Sequence, residues 1–152
     1  DMGDFMASLG MGGLNVGAQP AGYPADAFHH VLMSILVAAR AHGLQAIDGP
    51  FVAIRDSEGF RRSAGLSAAI GYDGKWVLHP SQVDAGNEVY SPKPADFERA
   101  QKIMSAYAHA GELAQGAVGA IVVDDEMVDE AGVKLAAAIL ARGRASGMEE
   151  NR

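Results

Sequence analysis

The sequence predicts an α/β fold with a parallel sheet, and three observations lead to this prediction. Helical and strand-like patterns alternate over residues 25–78 with short connections, as they do in parallel α/β proteins. The apolar run 76–78 follows an Asp-Gly turn signal and stops before Pro80, which is typical of a buried strand. His79 ends that run, and side chains at the carboxyl ends of parallel strands face the ligand.

The first half of the chain has the clearest periodicity. The predicted elements are helices over 25–42 and 57–70 and strands over 45–47 and 75–78. In the first helix, apolar residues such as Ile35 recur at spacings of three and four, which places them on one inward face. Asp26 suits the N-cap of this helix and Ser57 that of the second, while Gly43 and Gly71 suit the helix ends.

A stiff, proline-rich connector at 91–94 divides the chain into two parts. The elements predicted after Pro80 are a short helix over 83–90, a helix over 94–110, a strand over 120–123 and a last helix that starts at Asp129. Residues 1–90 are therefore predicted to be the α/β part. Residues 91–145 are predicted to be a mainly helical extension, and 146–152 a frayed tail.

Composition restricts the class of protein. The chain has 152 residues, of which 49% are hydrophobic and 20% charged, enough for a packed core. A net charge of −7 without a Lys/Arg cluster argues against a nucleic-acid surface, and no apolar run is long enough to span a bilayer. The absence of cysteine excludes disulfides and thiolate metal sites, which suits a reducing cytoplasm. The first residue is Asp1 and glycines crowd 10–22, so we expect the chain to start inside a longer protein.

Common site motifs are missing from the sequence. The segment 10–13 is not a dinucleotide fingerprint, since no full strand precedes it and no helix follows at once. No two histidines stand four residues apart, which argues against a helical zinc motif. Ser81 lacks the flanking glycines of a nucleophile elbow. The candidate chemistry therefore rests on carboxylates and on His79.

Five segments of the chain, in order, resemble the citrate lyase beta-subunit-like CoA-ester lyases, the family that includes malyl-CoA lyase. The segments are GDFMAS at 3–8, IDGPF at 47–51, GYDGKWVLHPSQ at 71–82, NEVYSP at 87–92 and MVD at 127–129. The resemblance implies a (β/α)8 TIM barrel followed by a small, mainly helical C-terminal extension. Such a barrel takes roughly 250 residues, so the chain would hold only its last strands and helices, a partial barrel, plus the extension.

The resemblance also implies roles for individual residues. Asp4, at a strand end, would bind Mg²⁺, a cation that prefers oxygen ligands, and Gly3, Asp4, Leu78 and His79 would contact the substrate. Asp129 would be the catalytic acid or base, reaching from the extension into the active site of a neighbouring subunit of a homo-oligomer. The family's other metal-binding Glu and a substrate-binding Arg have no counterpart in this sequence.

Each of these residues also has a plainer interpretation. Asp4 is also explained as an exposed aspartate, and His79 as a residue that hydrogen-bonds locally after a strand. Asp129 is well placed to N-cap the last helix, and its two oxygens could serve the cap and the reaction separately. Asp48, at the end of the preceding strand, is more easily explained by structure than by catalysis.

By resemblance, the activity is that of a Mg²⁺-dependent CoA-ester lyase. Such an enzyme reversibly cleaves a carbon–carbon bond of a 3-hydroxyacyl-CoA such as malyl-CoA, giving an acetyl-CoA-type product and a 2-oxo acid such as glyoxylate. The metal would hold the oxo acid and polarise its carbonyl group. Two alternatives stay open: another CoA ester such as citryl-CoA, and a truncated, non-catalytic fragment or assembly module of such an enzyme.

Overall fold

The computed structural model describes residues 2–13, 15–116 and 118–149. The chain forms two compact units, residues 1–90 (unit 1) and 91–152 (unit 2). Within the described residues, no helix combines the length and the apolar character needed to cross a membrane. Part of the predicted frayed tail, residues 150–152, lies outside the described residues.

The described residues of unit 1 form helices and one short pair of strands. Its elements are α1 (Met2–Ser8), α2 (His29–Ala41), β1 (Ile47–Asp48), α3 (Ser57–Ile70), β2 (Gly74–Lys75), a 3₁₀ turn (Pro80–Gln82) and α4 (Val83–Tyr90). The strands are parallel, with Ile47 opposite Gly74 and Asp48 opposite Lys75. The predicted order of helix, strand, helix and strand, with parallel strands, is confirmed.

Both ends of α3 follow from residues next to the helix. The Oδ1 atom of Asp56 accepts a hydrogen bond from the Gly59 amide (2.8 Å) and caps the helix, so the predicted cap, Ser57, is wrong by one residue. Gly71 ends the helix at a φ of 112°, a left-handed conformation that glycine adopts without steric cost.

The predicted buried strand at 75–78 is wrong for most of its length. The strand ends at Lys75, and the apolar residues 76–78 are 36% to 55% exposed. The Leu78 amide donates to the Gln82 side chain (Oε1, 2.8 Å) instead of to a neighbouring strand. Apolar residues favour a buried strand only where further strands pair with them, and among the described residues no third strand joins this sheet.

The N-terminal segment is a helix, so the predicted strand-end position of Asp4 is wrong. Asp4 lies in the first turn of α1. The segment contains no β-branched residue, whereas Met and Ala favour a helix. Met6 is buried in a core cluster with Leu32 and Leu36 of α2, which holds the short helix in place.

Two apolar clusters stabilise unit 1. The first contains Met6, Phe28, Leu32, Leu36, Ala46 and Tyr72, and the second contains Phe51, Phe60, Ala64 and Ala85. In the second cluster, the rings of Phe51 and Phe60 meet edge to face with their centroids 6.3 Å apart. Ile35 is 51% exposed, whereas the sequence pattern predicts it on the inward face of the helix. Leu36, four positions after Leu32, is the residue that is buried in the core instead.

Arg40, near the end of α2, joins the turns that precede the two strands. Its Nη1 donates to the Leu44 carbonyl (2.9 Å) and to Asp73 Oδ2 (2.8 Å). Its Nη2 donates to the Gly71 carbonyl (2.8 Å) and to Asp73 Oδ1 (2.9 Å). Asp73 Oδ2 also accepts the Ala46 amide (2.8 Å), so one guanidinium connects the approaches to β1 and β2.

The described part of unit 2 contains two long helices and a hairpin. Its elements are α5 (Pro94–Ala114), β3 (Ala120–Val123), β4 (Glu126–Asp129) and α6 (Glu130–Ala145). The strands are antiparallel, with Ala120 opposite Asp129. Asp124 and Asp125 join them at φ values of 49° and 64°, which match the twist of a two-residue hairpin turn. β4 is absent from the sequence prediction because this Asp-Asp pair lacks the glycine that usually marks such a turn.

The core of unit 2 lies between α5, α6 and the hairpin. Its buried residues are Phe97, Ala100, Ile103, Val123, Val128, Ala136 and Leu140. Helix α5 extends to Ala114, beyond its predicted end at residue 110. After α6, Met148 packs against this core and its amide donates to the Gly143 carbonyl (2.9 Å).

At Gly143, helix α6 packs directly against Phe97 of α5. A Cβ atom added there would collide with the ring of Phe97, which is buried. We therefore expect Gly143→Ala to lower the free energy of unfolding by about 1–3 kcal/mol, the usual cost of overpacking a core. Denaturant unfolding followed by circular dichroism measures this loss.

Gly65→Ala, within α3, is the matched control. No atom outside the helix backbone lies within 4 Å of a Cβ added at Gly65. Alanine should therefore raise the free energy of unfolding by about 0.5–1 kcal/mol through helix propensity alone. A stabilised Gly143→Ala protein would contradict the close packing against Phe97.

Candidate functional site

The two parallel strands bring a buried ion pair together. Lys75 Nζ lies 2.6 Å from Asp48 Oδ2, and the two side chains are 1% and 6% exposed. Asp48 Oδ1 accepts the Gly49 amide (2.7 Å), and the Asp48 carbonyl accepts the Trp76 amide (2.9 Å). Both carboxylate oxygens of Asp48 are thus engaged, which favours a structural role for this residue.

Two cavities of unit 1 share Asp48 in their walls. The larger has a volume of about 620 Å³, and its apolar lining includes Val31, Leu32, Ile35, Ile47 and Trp76. The smaller has a volume of about 370 Å³, and its polar lining includes Gln19, Asp26, Arg62, Ser63 and Lys75. Both volumes lie in the range of small-molecule sites, so the ion pair is placed where a ligand could be held.

Two tyrosines of unit 1 have raised pKa values. Burial, followed by the charge of Asp48, raises the pKa of Tyr72, whose hydroxyl donates to the Leu32 carbonyl (3.0 Å). Burial raises the pKa of Tyr90 to about 12, against the opposing effect of its hydrogen bond with Ser67 (2.7 Å). Both phenols are therefore neutral near pH 7 and can donate hydrogen bonds there, but neither serves as a base.

Leu78 and His79 follow β2, and neither lines the two cavities. His79 Nδ1 lies 2.8 Å from Ser81 Oγ and accepts the Ser81 amide (3.1 Å), which caps the 3₁₀ turn. The Ser81 hydroxyl donates in turn to the Ile54 carbonyl (3.1 Å). Within unit 1, His79 thus makes the local contacts of its plainer interpretation, and a substrate role for Leu78 and His79 stays a prediction.

Gly3 and Asp4 lie in α1, and neither lines the two cavities, although the next residue, Phe5, lines the larger one. Among the described residues, no group of three or more His, Asp or Glu side chains is arranged to hold a metal ion. Mg²⁺ binds through carboxylates and demands near-ideal octahedral geometry. The described residues therefore do not fit a Mg²⁺ site by themselves.

Asp129 connects β4 to α6. Its Oδ1 accepts the Gly132 amide (3.0 Å) and caps the helix, so the predicted N-cap is confirmed. The side chain is exposed, and Oδ2 makes no hydrogen bond to any other described residue. One oxygen is thus fixed while the other faces solvent, an arrangement that allows capping and proton transfer together.

A cleft of about 380 Å³ in unit 2 has Asp129 in its wall. Other lining residues are Arg99, Ile103, Glu126, Leu135 and Ile139. Arg99 Nη2 lies 2.5 Å from Glu126 Oε2 and ties α5 to the start of β4. Lys134 pairs with Glu130 (2.8 Å), and this hydrogen bond lowers the pKa of Glu130. In the described part of the chain, no cation pairs with Asp129.

Sequence reasoning missed Lys75 as the partner of Asp48. A signal exists, because each of two adjacent apolar strands carries one charge, and buried charges are normally paired. The structure brings these two residues together, but it does not bring Asp4, Leu78 and His79 into one cavity. The predicted site residues therefore stay predictions.

Comparison with known proteins shows the family of the chain. Residues 2–80 match the family model of the HpcH/HpaI aldolase/citrate lyase proteins, which is more than half of the 152 residues. The chain belongs to the HpcH/HpaI aldolase/citrate lyase family. The matched region includes both parallel strands and the buried ion pair, and the resemblance to citrate lyase-like proteins is confirmed.

Several relatives of the chain have names that refer to malyl-CoA. The L-malyl-CoA/beta-methylmalyl-CoA lyase of Rhodobacter capsulatus is 38% identical over 146 residues, covering 90% of this chain and 45% of that protein. The enzyme of the same name from Cereibacter sphaeroides is 36% identical over 146 residues, which also cover 90% of this chain and 45% of that protein. A (3S)-malyl-CoA thioesterase of Cereibacter sphaeroides is 39% identical over 110 residues, covering 72% of this chain and 38% of that protein. The chain spans less than half the length of these relatives.

Two solved structures have a fold similar to that of this chain. Protein CitE from Mycobacterium tuberculosis, in complex with magnesium, acetoacetate and coenzyme A, matches with a TM-score of 0.70 at 29% identity. The match covers 91% of this chain and 48% of CitE. A citrate lyase from Burkholderia xenovorans LB400, at 21% identity and a TM-score of 0.68, supports the fold alone. These neighbours indicate an α/β fold of the TIM-barrel type, of which this chain forms a part.

Proposed function

We propose that the chain is part of a Mg²⁺-dependent CoA-ester lyase that reversibly cleaves malyl-CoA or a close 3-hydroxyacyl-CoA. The products would be an acyl-CoA such as acetyl-CoA and a 2-oxo acid such as glyoxylate. The observation that carries this proposal is the 38% identity to an L-malyl-CoA/beta-methylmalyl-CoA lyase over 90% of the chain. Because the chain covers less than half of that relative, the activity is proposed for the full-length protein.

Asp129 is proposed as the acid or base that exchanges a proton with the α-carbon of the acyl-CoA. Its open Oδ2, its exposure and its position in a ligand-sized cleft support this role. The cap on Oδ1 holds the carboxylate in one orientation, as a general acid or base requires. In a homo-oligomer, Asp129 would serve the active site of a neighbouring subunit.

Gly3, Asp4, Leu78 and His79 are proposed to contact the substrate in the full-length protein, and Asp4 to be one ligand of Mg²⁺. The magnesium in the complex of CitE from Mycobacterium tuberculosis supports this choice of metal. Since the described residues do not complete a metal site, the remaining ligands would come from other residues of the full-length protein or from water.

Replacing Asp4 tests the metal proposal. In the full-length protein, Asp4→Ala should abolish cleavage. It should also weaken Mg²⁺ binding by more than about 10–100-fold, because replacing residues that only hydrogen-bond to metal ligands already causes a loss of that size. Isothermal titration calorimetry with Mg²⁺ measures the affinity. Asp84→Ala, which removes an exposed aspartate from the first turn of α4, is the matched control. Unchanged Mg²⁺ affinity in the Asp4→Ala protein would exclude Asp4 as a ligand.

A thioesterase is the second candidate function. The 39% identity to a (3S)-malyl-CoA thioesterase over 72% of the chain favours it. The two activities differ in their products, because a lyase releases a 2-oxo acid and an acyl-CoA, whereas a thioesterase releases free CoA thiol. Incubation of the full-length protein with malyl-CoA, with separate assays for glyoxylate and free thiol, decides between them. Citryl-CoA in the same assays tests the alternative substrate.

The third candidate is a non-catalytic fragment or assembly module. Among the described residues, no cluster of three or more His, Asp or Glu side chains could hold a metal ion, and this favours the third candidate for the isolated 152-residue chain. Tight Mg²⁺ binding by that chain alone, measured by calorimetry, would contradict this alternative.

A further inference from the structure

Asp56 and Asp129 each cap a helix by accepting the amide of the residue three positions later. Asp56 accepts the Gly59 amide (2.8 Å) and Asp129 accepts the Gly132 amide (3.0 Å), each through Oδ1. The two carboxylates differ in their second oxygen. A Cβ added at Gly59 would collide first with Asp56 Oδ2, so that oxygen lies over the helix. At Gly132 the nearest carboxylate atom is Oδ1, at 3.8 Å, so Oδ2 lies no closer than that.

The backbone differs at the two caps, with ψ 80° at Asp56 and −173° at Asp129, and at Asp129 a second feature, the side chain of Val128, limits where the carboxylate can lie. Its Cγ1 would lie only 2.7 Å from a Cβ at Gly132, so it fills the space over the first turn of α6. Val128 is 6% exposed and belongs to the buried core of unit 2, which holds it in place. The corresponding residue before Asp56 is Arg55, which is exposed. The space beside Gly132 is therefore closed to Asp129 Oδ2.

We propose that Val128 and Gly132 are positioning residues for Asp129. Gly132 donates the amide that fixes Oδ1, and Val128 keeps Oδ2 off the helix, where it is available to a substrate. Glycine is required at position 132 because a larger residue would push against Val128 and displace the capped carboxylate. This inference rests on the proposed acid–base role of Asp129.

The test is a double-mutant cycle in the full-length protein. Gly132→Ala places a Cβ against Val128, so we expect a loss of about 10–100-fold in kcat for malyl-CoA cleavage, the cost of a small misplacement of a reacting group. KM should change little, because Asp129 is not a binding group for the CoA ester. Adding Val128→Ala removes the colliding Cγ1 atom. It should raise kcat about tenfold above that of the Gly132→Ala protein, because substitutions of residues in contact are not additive. Gly65→Ala, where a Cβ meets nothing within 4 Å, is the matched control and should leave kcat unchanged.

A merely structural role would give different results. Gly132→Ala would then lower Tm while kcat per folded molecule stayed at the value of the unsubstituted protein. Alternatively, Gly132→Ala would lower kcat and the added Val128→Ala would restore none of it, while the double variant would be less stable than either single one. Either kinetic result overturns the proposal.

Hydrogen exchange distinguishes this inference from the proposed function. If the full-length protein has no lyase activity, the proposed function fails, and the exchange rate of the amide at residue 132 still tests the positioning. After correction for intrinsic rates, we expect this amide to exchange faster in Gly132→Ala and in Asp129→Ala than in the unsubstituted protein. Adding Val128→Ala to Gly132→Ala should return the protection. Equal protection in the Gly132→Ala and unsubstituted proteins overturns the proposal.

Discussion

Asp129→Asn in the full-length protein is expected to lower kcat for malyl-CoA cleavage by about 10²–10⁴-fold, the usual contribution of a general acid or base. The stability of the protein should change little, because asparagine keeps an oxygen that accepts the Gly132 amide, and Asn and Asp are similar N-caps. The amide group, however, cannot exchange the proton. Steady-state kinetics and thermal denaturation of the same preparation measure both effects.

Two further variants separate capping from chemistry at Asp129. Asp129→Ala removes the cap as well and should lower the free energy of unfolding by about 1 kcal/mol. Asp56→Asn makes the same change in the equivalent cap of α3 and should leave kcat as it is. An Asp129→Asn protein with full activity would leave capping as the only role of this residue.

Lys75→Met is expected to lower the free energy of unfolding by about 3–5 kcal/mol, the usual cost of leaving one charge of a buried pair without its partner. The side chains of Lys75 and Asp48 are 1% and 6% exposed, and Lys75 Nζ lies 2.6 Å from Asp48 Oδ2, so the substitution leaves the Asp48 carboxylate buried without its counter-charge. Urea denaturation of the 152-residue chain measures the loss.

Two comparisons make the Lys75 result specific. Adding Asp48→Asn should recover much of the loss, because the buried charge is gone and the amide oxygen can still accept the Gly49 amide. Lys134→Met breaks the exposed Glu130–Lys134 pair and should have a far smaller effect. A Lys75→Met protein as stable as the unsubstituted chain would show that the buried pair does not stabilise the fold.

The features of the fold that depend on residues close together in the sequence could be predicted from it. Helix α3 runs over Ser57–Ile70 as predicted, since an aspartate before it and Gly71 after it supply both ends locally. The cap at Asp129 follows in the same way from an amide donor three residues on. The parallel order of the strands follows from the alternation of helical and strand-like patterns.

The features that depend on distant partners were not predictable. The apolar run 76–78 reads as a buried strand in isolation, yet its burial depends on strands that are absent from the described sheet. The sequence signals one charge in each of the two strands, but the alignment that places Lys75 opposite Asp48 depends on register, which no local pattern reveals. For the same reason the sequence places Asp4 and His79 near a ligand by resemblance only, since no group of three or more His, Asp or Glu side chains among the described residues could hold a metal ion.

Each strand of the parallel pair is only two residues long, too short for its own hydrogen bonds to select an alignment. A slip by one residue would turn Asp48 and Lys75 towards opposite faces of the sheet and separate their charges. The fork of Arg40 opposes such a slip, because it fixes the Leu44 carbonyl ahead of β1 and Asp73 ahead of β2 at the same time. The alignment of the sheet is thus encoded outside its strands, in one side chain of the preceding helix.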